Sequence, residues 1–251
     1  MLLAIDIGNT NIVLGLFADE KLLHKFRLET STLKPAEDYA IDIVELFLNN
    51  KIDCLTIASV VIVSVVPNLT TTIESAVQKF YNGEILVAGK NLKLNIEIAI
   101  KNKQEVGLDR LVNAIAGYQK FGGNLIIVDF GTATTFDVVG QNGEYLGGVI
   151  APGVNLSIKA LHDMTAQLPK IQVKPQKNVI GKSTFEAMNS GIYFGYISLV
   201  EGLVAKINAE QNCQMKLIIT GGLSSLFGNA LTTPEYIQPD LTLEGIRLTT
   251  I

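Results

Sequence analysis

Leu2 to Ile7 is an apolar run broken once, by Asp6, and it ends at Gly8-Asn9-Thr10-Asn11. A second apolar run extends from Ile12 to Phe17. After the polar break Ala18-Asp19-Glu20-Lys21, a third covers Leu22 to Leu28. Short runs rich in β-branched and large apolar residues, separated by turn residues, read as strands because such side chains pack well on a pleated surface. The chain therefore opens with a three-stranded antiparallel meander whose first turn is Gly8-Asn9-Thr10. The period then changes. From Pro35 to Leu48, Tyr39, Ile43, Val44, Phe47 and Leu48 recur at helical spacing, with Pro35 near the start, where its missing N–H costs little. Ile57 to Val66 is apolar apart from Ser59 and Ser64 and stops at Pro67. A continuous run of this kind predicts a strand covered on both faces. Thr70 to Phe80 predicts another helix. A further helix opens at Gly107-Leu108-Asp109-Arg110, with Leu111, Val112, Ile115, Tyr118 and Phe121 on its apolar side.

The opening pattern then recurs. Ile126-Ile127-Val128-Asp129-Phe130-Gly131-Thr132 repeats Leu3-Ala4-Ile5-Asp6-Ile7-Gly8-Asn9 position by position: an apolar strand, an Asp, one apolar residue, a Gly and a small polar residue. The second copy continues through Ala133 to Val139 and turns at Gly140-Gln141-Asn142-Gly143, where Asn-Gly is a strong two-residue hairpin signal. It returns through Tyr145 to Ile150. The two Asp residues stand close to half the chain length apart, which predicts two similar domains, 1–118 and 119–251, each opening on an Asp-bearing hairpin. A cleft between two such halves is the expected ligand site. Ala151 to Lys182 reads as irregular. A helix follows from Thr184 to about Asn208, and a strand from Lys216 to Thr220 ends in Gly221-Gly222.

Composition narrows the class. The chain has 251 residues, 48% apolar and 18% charged, with 20 Lys+Arg against 24 Asp+Glu and a net charge of −4. A disordered chain shows the reverse balance. No run of clustered Lys and Arg marks a nucleic-acid surface, so no nucleic-acid partner is expected. The two cysteines, Cys54 and Cys213, lie at the edges of apolar stretches and read as buried thiols in a reducing compartment. Asp6 interrupts the N-terminal apolar run at once, unlike a signal peptide. The longest apolar run, Ile57 to Val66, is too short to span a bilayer, which takes about 20 residues in a helix. A soluble cytoplasmic protein with no membrane association is expected.

The chemistry concentrates in three places. In Asp6-Ile7-Gly8-Asn9-Thr10-Asn11, Gly8 permits a tight turn and close approach of backbone to ligand. The polar side chains beside backbone N–H groups could wrap phosphate oxygens. A carboxylate at the end of a strand can hold a hydrated Mg2+ that also binds phosphates. Asp129-Phe130-Gly131-Thr132-Ala133-Thr134-Thr135 is the second copy, poorer in amides and richer in hydroxyls. Gly107-Leu108-Asp109-Arg110 places a carboxylate and a guanidinium in the first turn of a helix; Arg recognises carboxylate or phosphate with a planar fork. Paired Asp-bearing turns with a further carboxylate to accept a hydroxyl proton suit nucleotide-dependent phosphoryl transfer. The chain lacks both Gly-x-x-x-x-Gly-Lys-[Ser/Thr] and Gly-x-Gly-x-x-Gly, so neither a P-loop nor a dinucleotide fold is signalled.

These segments, with Gly147-Gly148-Val149-Ile150-Ala151-Pro152-Gly153, Leu161-His162, Thr165-Ala166-Gln167-Leu168-Pro169, Thr184-Phe185-Glu186-Ala187-Met188-Asn189-Ser190-Gly191 and Thr220-Gly221-Gly222, resemble the type III pantothenate kinase family in order along nearly the whole chain. The resemblance implies an α/β fold of two duplicated ribonuclease-H-like domains of the actin/Hsp70/sugar-kinase type, with mixed sheets flanked by helices. It implies transfer of the γ-phosphoryl group of ATP to the primary hydroxyl of pantothenate, the first step of coenzyme A synthesis. By that resemblance Asp6, Ile7, Gly8, Asn9, Thr10, Asn11, Ile12 and Val13 form the first ATP phosphate loop, and Thr132 contacts ATP phosphate. Gly107, Leu108, Asp109 and Arg110 contact pantothenate, with Asp109 the proton acceptor. Thr184 is a further substrate contact. Asp129 binds an activating K+ or NH4+, and the enzyme needs ATP and Mg2+. The family is homodimeric, with dimer contacts expected in the second domain. Ile100 and Lys103 stand where the family often has Tyr and Pro.

Overall fold

The computed structural model describes residues 1–232 and 236–250. Its chain divides into two compact units. The first comprises residues 1–96, 104–116 and 242–251, and the second 97–103 and 117–241.

The first unit is built on the predicted meander. Strands β1 (Leu2–Ile7), β2 (Asn11–Ala18) and β3 (Lys21–Glu29) are antiparallel neighbours. β4 (Ser59–Ser64) joins β1 in parallel, and β5 (Ile85–Val87) joins β4, giving the order β3-β2-β1-β4-β5. The two-residue period of β1 splits its side chains between two cores. Leu3, Ile5 and Ile7 pack with Tyr39, Ile43 and Phe47 of helix α1 (Ala36–Asn49) and Ile73 and Val77 of α2 (Pro67–Val77). Ala4 packs on the opposite side with Val112 of α3 (Leu108–Phe121) and with Leu243 and Ile246 of α7 (Leu241–Leu248). β4 is covered on both faces as its sequence requires, Val60 and Ile62 toward α1 and α2, Val61 and Val63 toward α3 and α7.

The second unit repeats this plan. β6 (Leu125–Phe130), β7 (Ala133–Val139) and β8 (Tyr145–Pro152) form the meander. β9 (Lys216–Gly221) runs parallel to β6 and is followed outward by β10 (Tyr236–Ile237), for the order β10-β9-β6-β7-β8. Thus each unit has the same five-strand arrangement around its central strand, the duplicated ribonuclease-H-like plan of the actin/Hsp70/sugar-kinase type. Val128, Phe130, Phe136 and Val138 pack under α4 (Val154–Asp163), the 28-residue α5 (Thr184–Gln211) and α6 (Ser224–Gly228).

Several elements differ from the pattern reading. The stretch Ala151 to Lys182 contains α4, a short helix of ten residues that buries only Val154 and Ile158. α2 starts at Pro67, not Thr70, because proline suits the first helical turn as well as it ends a strand. The second hairpin is not a two-residue turn: β7 stops at Val139, β8 starts at Tyr145, and Gly143 takes φ of 86° inside the longer loop. Cys54 and Cys213 are free thiols but only half-buried.

The units also differ from a division into 1–118 and 119–251. Residues 97–103 join the second unit because Glu97 and Ala99 make backbone hydrogen bonds to Tyr145, at 2.8 and 2.9 Å. The C-terminal helix α7 joins the first. Thr242 Oγ1 donates to Asn113 Oδ1 at 2.8 Å, and a Cβ on Gly245 would fall 2.1 Å from the Val112 carbonyl oxygen. Gly245→Ala therefore forces two helix backbones apart and is expected to cost about 1–3 kcal/mol. Gly202→Ala in α5, where an added Cβ meets nothing within 4 Å, is expected to gain up to about 1 kcal/mol from helix propensity. Chemical denaturation of both variants checks this pair; equal midpoints would contradict the packing described for α7.

Candidate active site

Asp6 shares the sheet face of Ala4, toward α3 and α7, and lies opposite Val13 and Val63 in register. It is half-buried at the next-to-last position of a central strand. The following turn is closed by Gly8 N–H donating to the Asn11 carbonyl at 3.0 Å. Gly8 fits closely there, since a Cβ would sit 3.1 Å from that same oxygen and push it back by a few tenths of an ångström. Thr30, just past β3, braces the turn twice: its hydroxyl donates to Gly8 O at 2.7 Å and its N–H to Thr10 O at 3.1 Å. Asn9 and Thr10 stand exposed at the tip, while Asn11 and Val13 are half-buried. Ile7 and Ile12 point into the core with α1 and α2, so they can offer a ligand only their backbone.

The Gly107–Arg110 segment belongs to the same unit. Val65 links it to the end of β1: Val65 N–H donates to Ile7 O at 3.0 Å, and a side chain on Gly107 would contact Val65 Cγ1 at 3.6 Å. α3 begins at Leu108, with the Gly107 carbonyl accepting from Arg110 N–H at 3.1 Å. Asp109 folds its carboxylate back over this first turn, where Arg110 N–H donates to Oδ1 at 2.8 Å. A Cβ at position 107 would lie 2.4 Å from Oδ1, so glycine makes the space that the carboxylate fills. Burial pushes the Asp109 pKa above the usual carboxylate value, against the opposing pull of the Arg110 N–H and guanidinium. A raised pKa brings a carboxylate nearer to the range of an effective proton acceptor.

In the second unit Asp129 holds the place that Asp6 holds in the first. It is next to last in a central strand and lies opposite Thr135 and Thr220 in register. Its turn is shorter by one residue and is closed by Gly131 N–H donating to Ala133 O at 3.1 Å. Thr132 is exposed at the tip. Two glycines that the sequence reading left without a role sit against this turn. A Cβ on Gly153, at the N-cap of α4, would overlap the Thr132 carbonyl oxygen at 2.0 Å. A Cβ on Gly221 would fall 2.3 Å from Asp129 Oδ1, and Gly221 has φ of 89°. Beside it, the Thr220 hydroxyl is buried with no hydrogen-bond partner. Thr184 is exposed as the first residue of α5, after Ser183 caps that helix by accepting from Glu186 N–H at 3.2 Å.

The structure therefore groups the site residues as two turn clusters, one per unit. Asp6 to Val13 with Gly107 to Arg110 form one. Asp129 and Thr132 with Gly153, Thr220 and Gly221 form the other. Thr184 stands apart at the start of α5. No helix among the described residues is long and apolar enough to cross a membrane.

Comparison with known proteins places this geometry. The model of the type III pantothenate kinase family matches residues 2–206. A type III pantothenate kinase from Myxococcus xanthus (strain DK1622) is 40% identical over 248 residues, covering 99% of this chain and 97% of the relative. One from Geobacter sulfurreducens (strain ATCC 51573 / DSM 12127 / PCA) is 43% identical with the same coverage. Among solved structures, a protein described as a Baf family transcriptional activator from Campylobacter jejuni has a TM-score of 0.61 at 21% identity, covering 98% of this chain and 96% of that one. This last likeness concerns the fold alone. With two full-length relatives above 40% or at it, and the family model spanning both Asp-bearing turns and the Gly-Leu-Asp-Arg segment, the chain belongs to the type III pantothenate kinase family.

Proposed function

We propose that the chain transfers the γ-phosphoryl group of ATP to the primary hydroxyl of pantothenate, the entry step of coenzyme A synthesis. The observation that carries this reading is Asp109. It is a carboxylate of raised pKa, seated on the first turn of α3 in the space left by Gly107, beside the end of the strand that carries Asp6. Phosphoryl transfer asks the protein mainly for positioning and charge neutralisation, with one group to orient the attacking oxygen.

The roles divide as follows. Asp6 to Val13 bind the triphosphate, Gly8 allowing close backbone approach and Asn9, Thr10 and Asn11 supplying polar side chains. Asp6 would hold a hydrated Mg2+, whose chemistry is to neutralise charge on the phosphates. Thr132 contacts phosphate from the second turn. Gly107, Leu108 and Arg110 bind pantothenate, the Arg110 guanidinium pairing with its carboxylate or with the transferring phosphoryl group. Asp109 accepts the hydroxyl proton as the oxygen attacks the γ-phosphorus, and the bond from that phosphorus to the β,γ-bridging oxygen breaks to release ADP. Thr184 contributes a substrate contact. Asp129, its carboxylate next to the space that Gly221 leaves open, would hold K+ or NH4+. The two units derive from one duplicated unit, as their matching strand orders support, and the second supplies the contacts of a homodimer working in the cytoplasm.

A coupled assay of ADP release, with pantothenate present and absent, tests the activity: release that depends on pantothenate is expected, and release indifferent to it would contradict the reading. Asp109→Asn is expected to lower turnover by roughly 10²- to 10⁴-fold, the usual contribution of a positioned proton acceptor. The same variant should keep or gain thermal stability. Because the folded pKa is raised, the fold favours the protonated carboxyl. That favourable contribution is full below the unfolded carboxylate pKa and is lost as pH rises through the raised folded value. Melting temperatures of wild type and variant across acidic to neutral pH should therefore diverge in the variant's favour as pH rises. A variant that melts lower at neutral pH would contradict the assigned burial cost.

Asp129→Ala is expected to abolish the activating response to K+ at constant ionic strength. A turnover titration with KCl that matches wild type would remove Asp129 from that role.

A further inference from the structure

Thr220 is the next-to-last residue of β9, 1% exposed, and its hydroxyl has no hydrogen-bond partner. Buried hydroxyls are rarely left unpaired, because they give up water and gain nothing in return. Where one persists, an unfilled ligand position is among the first explanations to test. Sheet geometry shows which group stands beside it. Val128 and Phe130 of β6, and Leu217 and Ile219 of β9, point toward α5 and α6. The residues between them, Asp129 and Thr220, share the other face and are register partners across the parallel β6–β9 pair.

The Asp129 carboxylate reaches toward β9. Its Oδ1 lies 2.3 Å from where a Cβ on Gly221 would be, so the strand end is open at the point the carboxylate occupies. Gly221 takes φ of 89°, which turns the chain away immediately after Thr220. A charged oxygen donor and a neutral one are thus set side by side at a glycine-lined strand end. One carboxylate with a hydroxyl beside it can hold the monovalent cation read at Asp129: the carboxylate balances its single charge, and the hydroxyl adds a ligand without adding repulsion. Among the described residues, the other buried hydroxyl without a partner, on Thr134, faces the opposite, helix-covered side with Phe130 and Phe136 and so cannot join this set.

We propose that Thr220 Oγ1 is a second oxygen ligand of the monovalent cation at Asp129; this rests on the reading of Asp129 as the cation's carboxylate ligand. The proposal accounts for the orphan hydroxyl, for its register with Asp129 and for the open strand end at Gly221. A phosphate oxygen is the competing partner for the same hydroxyl, and the experiment separates the two.

The melting temperature of the intact protein is titrated with KCl against choline chloride at constant ionic strength, with Mg-ADP absent and then present. Ligand binding to the folded state raises the melting point by mass action, so the titration reports cation affinity without relying on turnover. Wild type, Thr220→Val, Thr220→Ser and Asp129→Ala are compared, with Thr220→Ala as the alternative should the valine variant not fold. Thr220→Val is expected to need about tenfold more K+ for the same stabilisation, the scale of loss when one partner of a metal site is removed. Thr220→Ser should respond near the wild-type concentration. Without K+, Thr220→Val should melt no lower than wild type, since it removes an unpaired buried hydroxyl.

A Thr220→Val response at wild-type K+ concentrations overturns the proposal. So does a weakened ADP effect at saturating K+ with the K+ midpoint unchanged, which would assign the hydroxyl to phosphate. If wild type itself shows no stabilisation specific to K+, the Asp129 reading fails and the Thr220 assignment falls with it. A wild-type response lost in Asp129→Ala but unchanged in Thr220→Val overturns the Thr220 assignment alone.

Discussion

A carboxylate held in the middle of a sheet sets the terms for everything else in this fold. β1 and β6 are each the central strand of five, and each carries an Asp at its next-to-last position. Neighbouring strands on both sides fix their register, so neither Asp can slip to the other face without exposing a whole apolar set. In β1 the even positions Ala4 and Asp6 face α3 and α7, while Leu3, Ile5 and Ile7 fill the core beneath α1 and α2. The hydrophobic burial that stabilises the sheet is thus also what aims the carboxylate. The two polar turns follow directly where these central strands end.

Glycine does related work at several of these ends, for different reasons. Gly8 lets the first turn close on Asn11. Gly107 vacates the volume into which Asp109 folds, and that placement gives the carboxyl both its hydrogen bond from Arg110 and its burial. The helix N-terminus favours the anion and burial opposes it; burial is the larger effect, which leaves a carboxylate better suited to taking a proton than a solvated one. Gly153 and Gly221 play the same part around Thr132 and Asp129, where any side chain would collide with the turn or with the carboxylate.

Much of this is legible in the chain. Both meanders, α1 and the doubly covered β4 follow from local apolar period, which needs no knowledge of distant partners. The recurrence of Asp-φ-Gly points to two equivalent central strands, and the strand orders of the two units agree with it. What stays hidden depends on pairing far along the chain. α7 is eight residues whose partners, Val112 and Gly15, come from much earlier, so its apolar positions have no visible counterpart nearby. Thr220 is one hydroxyl in a short strand until β9 is known to lie beside β6. Thr30 likewise looks like a loop residue, although it ties the first turn to the end of β3. The residues quoted at Gly153 and Gly221 stand out in sequence, but their purpose appears only as steric exclusion in three dimensions.

The most direct test of the account is a crystal structure with a non-hydrolysable ATP analogue and pantothenate bound, reading the distance from the Asp109 carboxylate to the primary hydroxyl of pantothenate. A distance of about 2.6–3.2 Å, the reach of a proton acceptor, is expected, with phosphate oxygens against the Gly8–Asn11 turn. A pantothenate hydroxyl out of reach of Asp109, or triphosphate bound away from that turn, would contradict it.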